Sequence, residues 1–394
     1  MKLTRLSEND KSIYTNKNFT MRELNFDDFI NINVSEKVKE EAIEGSKYFK
    51  KRIEEGKLFP KMEVKIEKID LNSELLIHNY TGSCPIQTYE INPVLSCNVG
   101  CAYCLVDDGI HQELIVYENY HELVRKKLEQ YYHEDHYFYF SPKTEAFCEA
   151  TLQTGIAHKI LLEFINHYKK RSDSKIRLFI ASKAGVEALN YQYDGVSILD
   201  LFKKLKGKMQ FNTSLSIFPN GVREYLEPYA ASYESRLEAV KLCQENGIMA
   251  NSALVQPILI SVLNDELLDD FFKQLNKYHI INIKPEFLTA NIWNMTLLAS
   301  VIKEYDPDIF KKVFETYFNN DNLNHVKQRS RTAPSREKSI YWIEKIKKIA
   351  AKYGISISIC FWVRKELKIN ENEIPIVNEN GFKCLGYQTK LFKE

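Results

Sequence analysis

The chain has 394 residues, enough for one large domain with additions or for two or three smaller domains. Its 54 basic and 53 acidic residues give a formal net charge of +1, which argues against a general polyanion binder. Eight cysteines without a signal-peptide pattern favour a reducing, cytoplasmic location in which cysteines bind metal rather than form disulfides. No apolar run approaches the roughly 18–20 residues that span a bilayer, so we expect a soluble protein with no membrane partner.

Residues 1–85 are predicted to form an N-terminal extension. Ser35 is a suitable N-cap for a helix that ends near Gly56, because apolar residues recur there at helical spacing. The segment EVKIEKIDLNSELLI (63–77) alternates apolar and polar residues around an LNS break, which predicts a β-hairpin. The extension either adds packing around a core domain or serves as a cover or partner contact.

Residues 86–290 alternate short apolar strands with helices. The predicted strands lie at 85–95, 137–141, 176–182, 209–217, 248–259 and 281–289, and the predicted helices include 118–132, 154–170 and 232–247. This alternation predicts right-handed crossovers and a parallel sheet. Six units favour a partial, TIM-like (β/α)6 barrel, whose reactive residues belong at the C-terminal ends of the strands. Residues 291–394 are predicted to form a C-terminal α+β extension with a strand at 355–363.

Three cysteines, Cys97, Cys101 and Cys104, fall within the eight-residue segment CNVGCAYC. The segment directly follows the first predicted strand of the barrel, so it can present three thiolates in one arc. One chemistry that fits is a structural zinc ion whose fourth ligand is His111. The other is a [4Fe–4S] cluster on three thiolates, which leaves one iron open to a small molecule.

The spacing CxxxCxxC, with the aromatic Tyr103 before the last cysteine, resembles the signature of the radical S-adenosylmethionine (SAM) superfamily. The resemblance implies that the three cysteines hold a [4Fe–4S] cluster whose open iron binds the methionine part of SAM, with Tyr103 beside it. Electron transfer from the cluster would split SAM to a 5′-deoxyadenosyl radical, which removes hydrogen from an unactivated carbon. The resemblance also implies an external reductant, such as a flavodoxin or ferredoxin, as electron donor.

Polar residues follow the second and third predicted strands, where such a cofactor would need them. Thr144 and Glu145 follow the second strand, near the place expected for the methionine amino group, although Glu145 could equally be a charge at a helix N-terminus. Ser182 and Lys183 end the third strand, where a cation could meet the methionine carboxylate. A solvent-facing lysine is the alternative.

The next two strands carry further candidates for binding SAM. Ser214 and Ser216 end the fourth strand, near the ribose hydroxyls or the carboxylate. Arg236 lies in the first turn of the next helix, where it either points to the barrel mouth or pairs with a glutamate of its own helix. Pro257 interrupts the fifth strand and would free backbone groups for an adenine edge.

Across about residues 90–260 the order of these motifs resembles the branch of the superfamily around spore photoproduct lyase. An acidic segment after strand two, a Ser-Lys pair after strand three, an EP…RL block and a strand-five proline occur in the same order. The EP…RL block consists here of Glu227, Pro228, Arg236 and Leu237. The resemblance covers less than half of the chain, essentially the barrel.

The chain departs from the lyase at its hydrogen donor. The lyase returns a hydrogen atom from a cysteine at the end of strand two, where this chain has Ser141 and Pro142. Cys148, about two helical turns further on, is the remaining candidate donor. Cys360 and Cys384 are predicted to be structural, because auxiliary clusters need several closely spaced cysteines.

The sequence therefore predicts a radical SAM enzyme of lyase or oxidoreductase type. The favoured substrate is a peptide or protein segment, as in enzymes that tailor or splice ribosomal peptides, because the net charge is neutral, the donor cysteine is missing and the N-terminal region is extra. The alternative is lyase-like action on a nucleic-acid lesion or base, and a small metabolite is also open. Two alternatives from other classes are a non-catalytic zinc-binding module and a silent scaffold that carries a cluster.

Overall fold

The computed structural model describes residues 21–58, 62–76, 88–104, 113–219, 221–318, 332–370 and 372–388. Its strands are β1 (Val64–Glu67), β2 (Thr88–Ile91), β3 (Val94–Leu95), β4 (Leu114–Tyr117), β5 (Tyr137–Phe140), β6 (Arg177–Ser182), β7 (Gln192–Tyr193), β8 (Val196–Ser197), β9 (Met209–Ile217), β10 (Ser252–Ile258), β11 (Asn282–Phe287), β12 (Ser356–Ile357), β13 (Phe382–Lys383) and β14 (Tyr387–Gln388).

From β5 to β12, helices alternate with the strands of the seven-stranded sheet. They are α1 (Glu36–Glu54), α2 (Tyr120–Tyr131), α3 (Glu149–Gln153), α4 (Ile156–Lys170), α5 (Val186–Asn190), α6 (Ile198–Lys204), α7 (Arg223–Leu226), α8 (Tyr233–Glu245), α9 (Asp265–Lys277), α10 (Ile292–Tyr305), α11 (Pro307–Phe318), α12 (Arg336–Ala351) and α13 (Phe361–Leu367). Short 3-10 turns lie at Phe26–Phe29, Ile260–Val262 and Cys384–Gly386. None of these described helices is both long and apolar enough to cross a membrane.

Seven strands form one parallel sheet in the spatial order β2-β5-β6-β9-β10-β11-β12. Spatial order follows chain order, so each crossover places the next strand beside the last one. The predicted parallel sheet is therefore confirmed, with a seventh strand that the chain adds after α12. The sheet is open, since β2 and β12 each have one sheet neighbour within the described residues. A partial (β/α)6 barrel stays a prediction.

The two faces of the sheet have different partners. Successive side chains of a strand point to opposite faces, so β5 divides its four aromatic residues between them. Phe138 and Phe140 are fully buried in the main core, where Phe138 packs edge-on against Phe164 of α4 with ring centroids 5.9 Å apart. Tyr137 and Tyr139 lie on the other face, in a smaller apolar cluster.

The C-terminal hairpin of β13 and β14 fills that second face near the N-terminal ends of the strands. Tyr387 stacks on Tyr137 with ring centroids 3.8 Å apart, and its hydroxyl lies 3.1 Å from the hydroxyl of Thr88. The side chain of Gln210 donates a hydrogen bond of 2.7 Å to the carbonyl of Gly386. The hairpin therefore covers this face at the N-terminal ends of the strands. It does not cover the C-terminal ends, where a parallel sheet usually carries its functional site.

The N-terminal extension is only partly as predicted. Ser35 caps α1 by accepting a 3.3 Å hydrogen bond from the backbone of Val38, which confirms the predicted start of the helix. The predicted hairpin is wrong, because β1 pairs in parallel with β4, a strand from beyond the cysteine segment. β4 pairs antiparallel with β3 on its other side. Alternation along the chain shows that a strand has two faces and does not identify its partner.

The predicted strand at 355–363 is also partly wrong. β12 ends at Ile357, and the chain turns at Cys360 into α13. Apolar residues continue through the segment because both its strand and its helix contribute to the core, where Ile357 of β12 is 4% exposed and Leu367 of α13 is 7% exposed.

Candidate functional site

A cavity of about 290 Å³ lies at the C-terminal ends of the parallel strands. The clustered cysteines Cys97, Cys101 and Cys104 line it together, and all three are partly buried. Several other predicted site residues line the same cavity, namely Tyr103, Thr144, Glu145, Lys183, Ser214 and Pro257. Sequence reasoning therefore brought together residues that the fold also brings together, although they come from five separate segments.

Elements distant in sequence hold the cysteine loop in place. The backbone amide of Ala102 donates a 2.9 Å hydrogen bond to the carbonyl of Leu226 at the end of α7. The carbonyl of Tyr103 accepts a 3.1 Å bond from the side chain of Asn294 in the first turn of α10. Gly100 has a φ of 72°, a backbone conformation that favours glycine and turns the loop between the first two cysteines.

Burial strongly affects the cysteine thiols. It raises the pKa of Cys101 to about 12 and that of Cys97 well above its ordinary value. Positive charge from a bound metal centre would oppose this effect, because it favours the thiolate form. In the described ranges, no three His, Cys, Asp or Glu side chains converge as ligands for one metal ion. His111, the predicted fourth ligand of a zinc site, lies outside those ranges.

A buried carboxylate, Glu227, joins four of the predicted residues beside the cysteine loop. Its Oε1 accepts hydrogen bonds from Lys183 Nζ at 3.0 Å, from Ser216 Oγ at 2.9 Å and from the hydroxyl of Tyr103. Its Oε2 lies 2.6 Å from Nη2 of Arg236. We call Lys183, Glu227 and Arg236 the closed ion cluster. The alternative in which Arg236 pairs with a glutamate of its own helix is wrong, because the arginine turns inward to Glu227.

The closed ion cluster is almost completely satisfied by the protein. Arg236 also donates hydrogen bonds to the carbonyls of Ala231 at 2.8 Å and Ser214 at 3.2 Å. Burial alone would raise the pKa of Glu227, but the charges of Arg236 and Lys183 outweigh it and hold that pKa well below the ordinary value of 4.5. Only Lys183 reaches the cavity, and its ammonium also bonds the Tyr103 hydroxyl at 3.0 Å.

Glu145 lies on the cavity wall and is fixed by three donors. It accepts hydrogen bonds from the backbone amides of Lys183 at 2.7 Å and Phe147 at 3.1 Å, and from the hydroxyl of Ser182. Burial raises its pKa. The alternative of a helix N-terminal charge is wrong, since α3 begins only at Glu149. Ser182 does not line the cavity and acts on it through Glu145.

Two hydroxyls on the cavity wall have no hydrogen-bond partner among the described residues. They are Ser141 Oγ and Thr144 Oγ1, both of which are buried. Ser141 has a φ of 53°, which is unusual for a residue with a side chain and places this turn in the left-handed region. Buried polar groups normally find a partner, so these two atoms fit a polar ligand in the cavity.

Two further predictions differ in outcome. Pro257 lines the cavity, and the strand register shifts between Val255 and Ile258 on both sides of β10, so the expected interruption of the ladder is confirmed. Cys148, the candidate hydrogen donor, is fully buried in the main core at the start of α3 and does not line the cavity. Burial raises the pKa of its thiol to about 11.

Sequence reasoning missed the wall formed by β10 and β11. Gln256 and Glu286 line the cavity there, and the ammonium of Lys284 contacts the carboxylate of Glu286. A signal was present in the segment INIKPEF, because a lysine and a glutamate two positions apart in a strand share one face. The segment does not by itself predict a functional site, because the residues around Lys284 and Glu286 are apolar and indicate only a buried strand.

No protein-family model matches the chain. A curated relative, the uncharacterized protein MJ0683 of Methanocaldococcus jannaschii, is 24% identical over 234 residues. The aligned part covers 57% of this chain and 81% of that protein.

Solved structures that align with part of this chain include the radical SAM methyltransferase TsrM of Kitasatospora setae. A TsrM structure with cobalamin and a [4Fe–4S] cluster bound has a TM-score of 0.43 and 12% identity, and the match covers 67% of this chain and 50% of TsrM. A second, with tryptophan substrate and the SAM analogue aza-SAM, has a TM-score of 0.42 and 12% identity, covering 68% and 51%. The chain thus spans about half the length of TsrM.

Streptococcus suis SuiB, in a crystal structure bound to its precursor peptide SuiA, is also similar. The TM-score is 0.40 with 13% identity, and the match covers 87% of this chain and 62% of SuiB. At these values the likeness assigns no function to the chain, and the residues of the cavity carry that inference.

Proposed function

We propose that this protein is a radical SAM enzyme in which Cys97, Cys101 and Cys104 hold a [4Fe–4S] cluster. One observation carries the proposal: three cysteines with the superfamily's spacing line the same cavity as Ser141 and Thr144, whose hydroxyls have no hydrogen-bond partner in the described part of the chain. When bound, the cluster and SAM would supply a 5′-deoxyadenosyl radical, which removes a hydrogen atom from an unactivated carbon of the substrate.

The residues of this chain would bind and orient SAM. Glu145 and Thr144 are suited to the methionine amino group, because a fixed carboxylate and a free hydroxyl both accept hydrogen bonds. Lys183 reaches the cavity with its ammonium and suits the methionine carboxylate. Ser214, on the wall between them, suits the carboxylate or the ribose, and the interrupted strand at Pro257 suits the adenine.

The lysines of the site favour a peptide or protein segment as substrate over a nucleic acid. Of the two lysines that line the cavity, Lys143 lies 2.9 Å from Glu90, and Lys183 would be used by the carboxylate of SAM. Phosphate recognition needs cations that are free to meet it, because it draws most of its affinity from charge neutralisation. Action on a nucleic-acid lesion or base remains the alternative within the class.

Anaerobic reconstitution tests the proposal. The protein is loaded with iron and sulfide, its absorbance near 400 nm is recorded, and 5′-deoxyadenosine is measured after addition of SAM with dithionite or with a reduced flavodoxin. We expect a brown protein with about four irons per chain that forms deoxyadenosine. Cys101→Ala should abolish both signals. Cys243→Ala, which removes a buried thiol of α8 away from the cysteine loop, should retain both.

Two results would contradict the proposal. A colourless protein that binds one zinc ion through the same cysteines would make it a zinc-binding module. A fully loaded cluster that forms no deoxyadenosine would make it a scaffold without this chemistry.

A further inference from the structure

The wall of the cavity formed by β10 and β11 carries an ion pair with unequal exposure. Lys284 and Glu286 lie two positions apart on β11 and therefore on one face of the strand. The ammonium of Lys284 contacts Oε2 of Glu286 and lies 3.3 Å from Oε1 of Gln256. The lysine side chain is 4% exposed and that of Glu286 is 41% exposed. The cation is thus inside the wall, and the anion faces the cavity. We call this pair the open ion pair.

The fold fixes Lys284 in its place. Burial alone would lower its pKa, but the charge of Glu286 outweighs this and raises the pKa above its ordinary value. The C-terminal segment seals the same face deeper along β11, where Asn282 bonds the hydroxyl of Ser252 at 2.8 Å and accepts from the side chain of Asn378 at 2.8 Å. Lys284 therefore has Glu286 as its anionic partner and holds that carboxylate in one orientation.

Glu286 keeps an acceptor for a ligand. Lys284 occupies Oε2, and Oε1 makes no hydrogen bond within the part of the chain that the structure describes. A carboxylate oxygen accepts hydrogen bonds and cannot donate them when ionised. An N–H group is the natural partner, and a charged N–H donor makes the strongest such bond.

Glu286 also lies across the site from the residues suited to the methionine part of SAM. Those residues follow β5, β6 and β9, whereas Glu286 is near the end of β11, and all of them line one cavity. Tyr139 lines the same cavity. A group that reaches Glu286 thus shares the cavity with SAM without using the same side chains.

We propose that Glu286 is a substrate-recognition residue that accepts a hydrogen bond from a cationic N–H group of a peptide, a lysine ammonium or an arginine guanidinium. This inference rests on the proposed function and names the substrate class of its cavity. Lys284 acts as a positioning residue that orients the carboxylate. An anionic substrate group is disfavoured here, because the carboxylate would repel it.

Peptide binding to the cluster-loaded, SAM-bound protein tests the inference. Three fluorescein-labelled dodecapeptides share a glycine–serine background and carry three lysines, three norleucines or three glutamates, and a labelled oligothymidylate of equal length is the fourth probe. Fluorescence polarisation under anaerobic conditions gives the dissociation constants. We expect the lysine peptide to bind about tenfold more tightly than the norleucine peptide and the two anionic probes to bind least.

Variants locate that preference on the cavity wall. Glu286→Gln should remove about tenfold of the affinity for the lysine peptide and leave the affinity for the norleucine peptide unchanged. The double variant K284M/E286Q, which removes both charges together, should give the same loss and guards against misfolding of the single variant. Glu245→Gln, an exposed glutamate at the end of α8, is the matched control and should bind as the unaltered protein does.

The outcomes separate this inference from the function on which it rests. If the unaltered protein forms no deoxyadenosine from SAM, the proposed function fails. If it does, but both Glu286 variants keep the lysine preference, the recognition role is overturned. It is also overturned if Glu286→Gln weakens SAM binding tenfold, which would assign the residue to the cofactor, or if oligothymidylate binds more tightly than the lysine peptide.

Discussion

Two groups of charged side chains border one cavity, and they differ in exposure. In the closed ion cluster the side chains of Glu227 and Arg236 are 1% and 2% exposed, and that of Lys183 is 14% exposed. In the open ion pair Lys284 is 4% exposed and Glu286 is 41% exposed. The first group buries its carboxylate and brings only the ammonium of Lys183 to the cavity, whereas the second presents its carboxylate to the cavity.

This difference in exposure suits the closed ion cluster to stabilising the fold and the open ion pair to binding a ligand. A buried charge loses its hydration, so it must be matched by protein partners. Removing one partner leaves the opposite charges buried without a counterion, which lowers the stability of the fold strongly. Glu227 is matched by two cations and two hydroxyls, one of which belongs to Tyr103 in the cysteine loop. The closed cluster therefore stabilises the loop, and the open pair retains an oxygen for a ligand.

The largest expected effect is on the closed cluster. Glu227→Gln leaves Lys183 and Arg236 as two buried cations without an anion, so we expect it to lower the free energy of unfolding by about 3–5 kcal/mol. Urea unfolding of the cluster-free protein at pH 7 measures the loss. Ser216→Ala, which removes one donor to the same carboxylate and no charge, should cost only about 1 kcal/mol. Equal losses for the two variants would mean that the charge of Glu227 does not support the fold.

A smaller effect is expected at the open pair. Lys284→Met leaves Glu286 without its cation, but that carboxylate is partly exposed and can be hydrated, so we expect a loss of about 1–2 kcal/mol. Adding Glu286→Gln should recover part of this loss, because a neutral pair of similar volume replaces the ions. The same urea titration measures both variants. If Lys284→Met lowers the free energy of unfolding as much as Glu227→Gln does, then Glu286 is no better hydrated than the charges of the closed ion cluster.

Acidification gives the smallest change, and it tests the closed ion cluster. The pKa of Glu227 is held below its ordinary value of 4.5 in the folded protein, so its stabilisation is fully present above about pH 4.5 and is lost as the pH falls toward the folded pKa. One such group changes the free energy of unfolding by at most about 1.4 kcal/mol per pH unit. The gap in stability between the unaltered protein and Glu227→Gln should therefore narrow between pH 4.5 and 3.5. A constant gap over that range would contradict the depressed pKa.

The pattern of apolar residues along the chain predicted the strands of the parallel sheet well and the N-terminal and C-terminal extensions poorly. The apolar segments that became β5, β6, β9, β10 and β11 lie within a few residues of their predicted places, because a buried parallel strand reads as a continuous apolar run. The segment around β1 has an equally clear alternation, but its partner β4 lies beyond the cysteine loop. Pairing over that distance depends on the whole fold, so the hairpin prediction failed.

The sequence predicted which residues lie at the candidate site, but it did not predict which of their side chains contact one another. Strand ends indicated Glu145, Lys183 and Ser214, because parallel strands bring their C-terminal ends to one edge of the sheet. Nothing in the sequence indicates that Glu227 bonds a lysine 44 residues earlier and also pairs with Arg236. Such a network is set by side-chain directions inside the folded chain, so it was found only in the structure.

Electron paramagnetic resonance tests the central claim most directly, namely that the three cysteines hold a cluster with one iron open to SAM. The reconstituted protein is reduced with dithionite, and its spectrum is recorded before and after SAM is added. We predict the signal of a reduced [4Fe–4S] cluster whose shape changes when SAM binds the open iron, and no such signal in Cys101→Ala. A cluster signal that SAM leaves unaltered, or a protein that takes up zinc and gives no cluster signal, would contradict the claim.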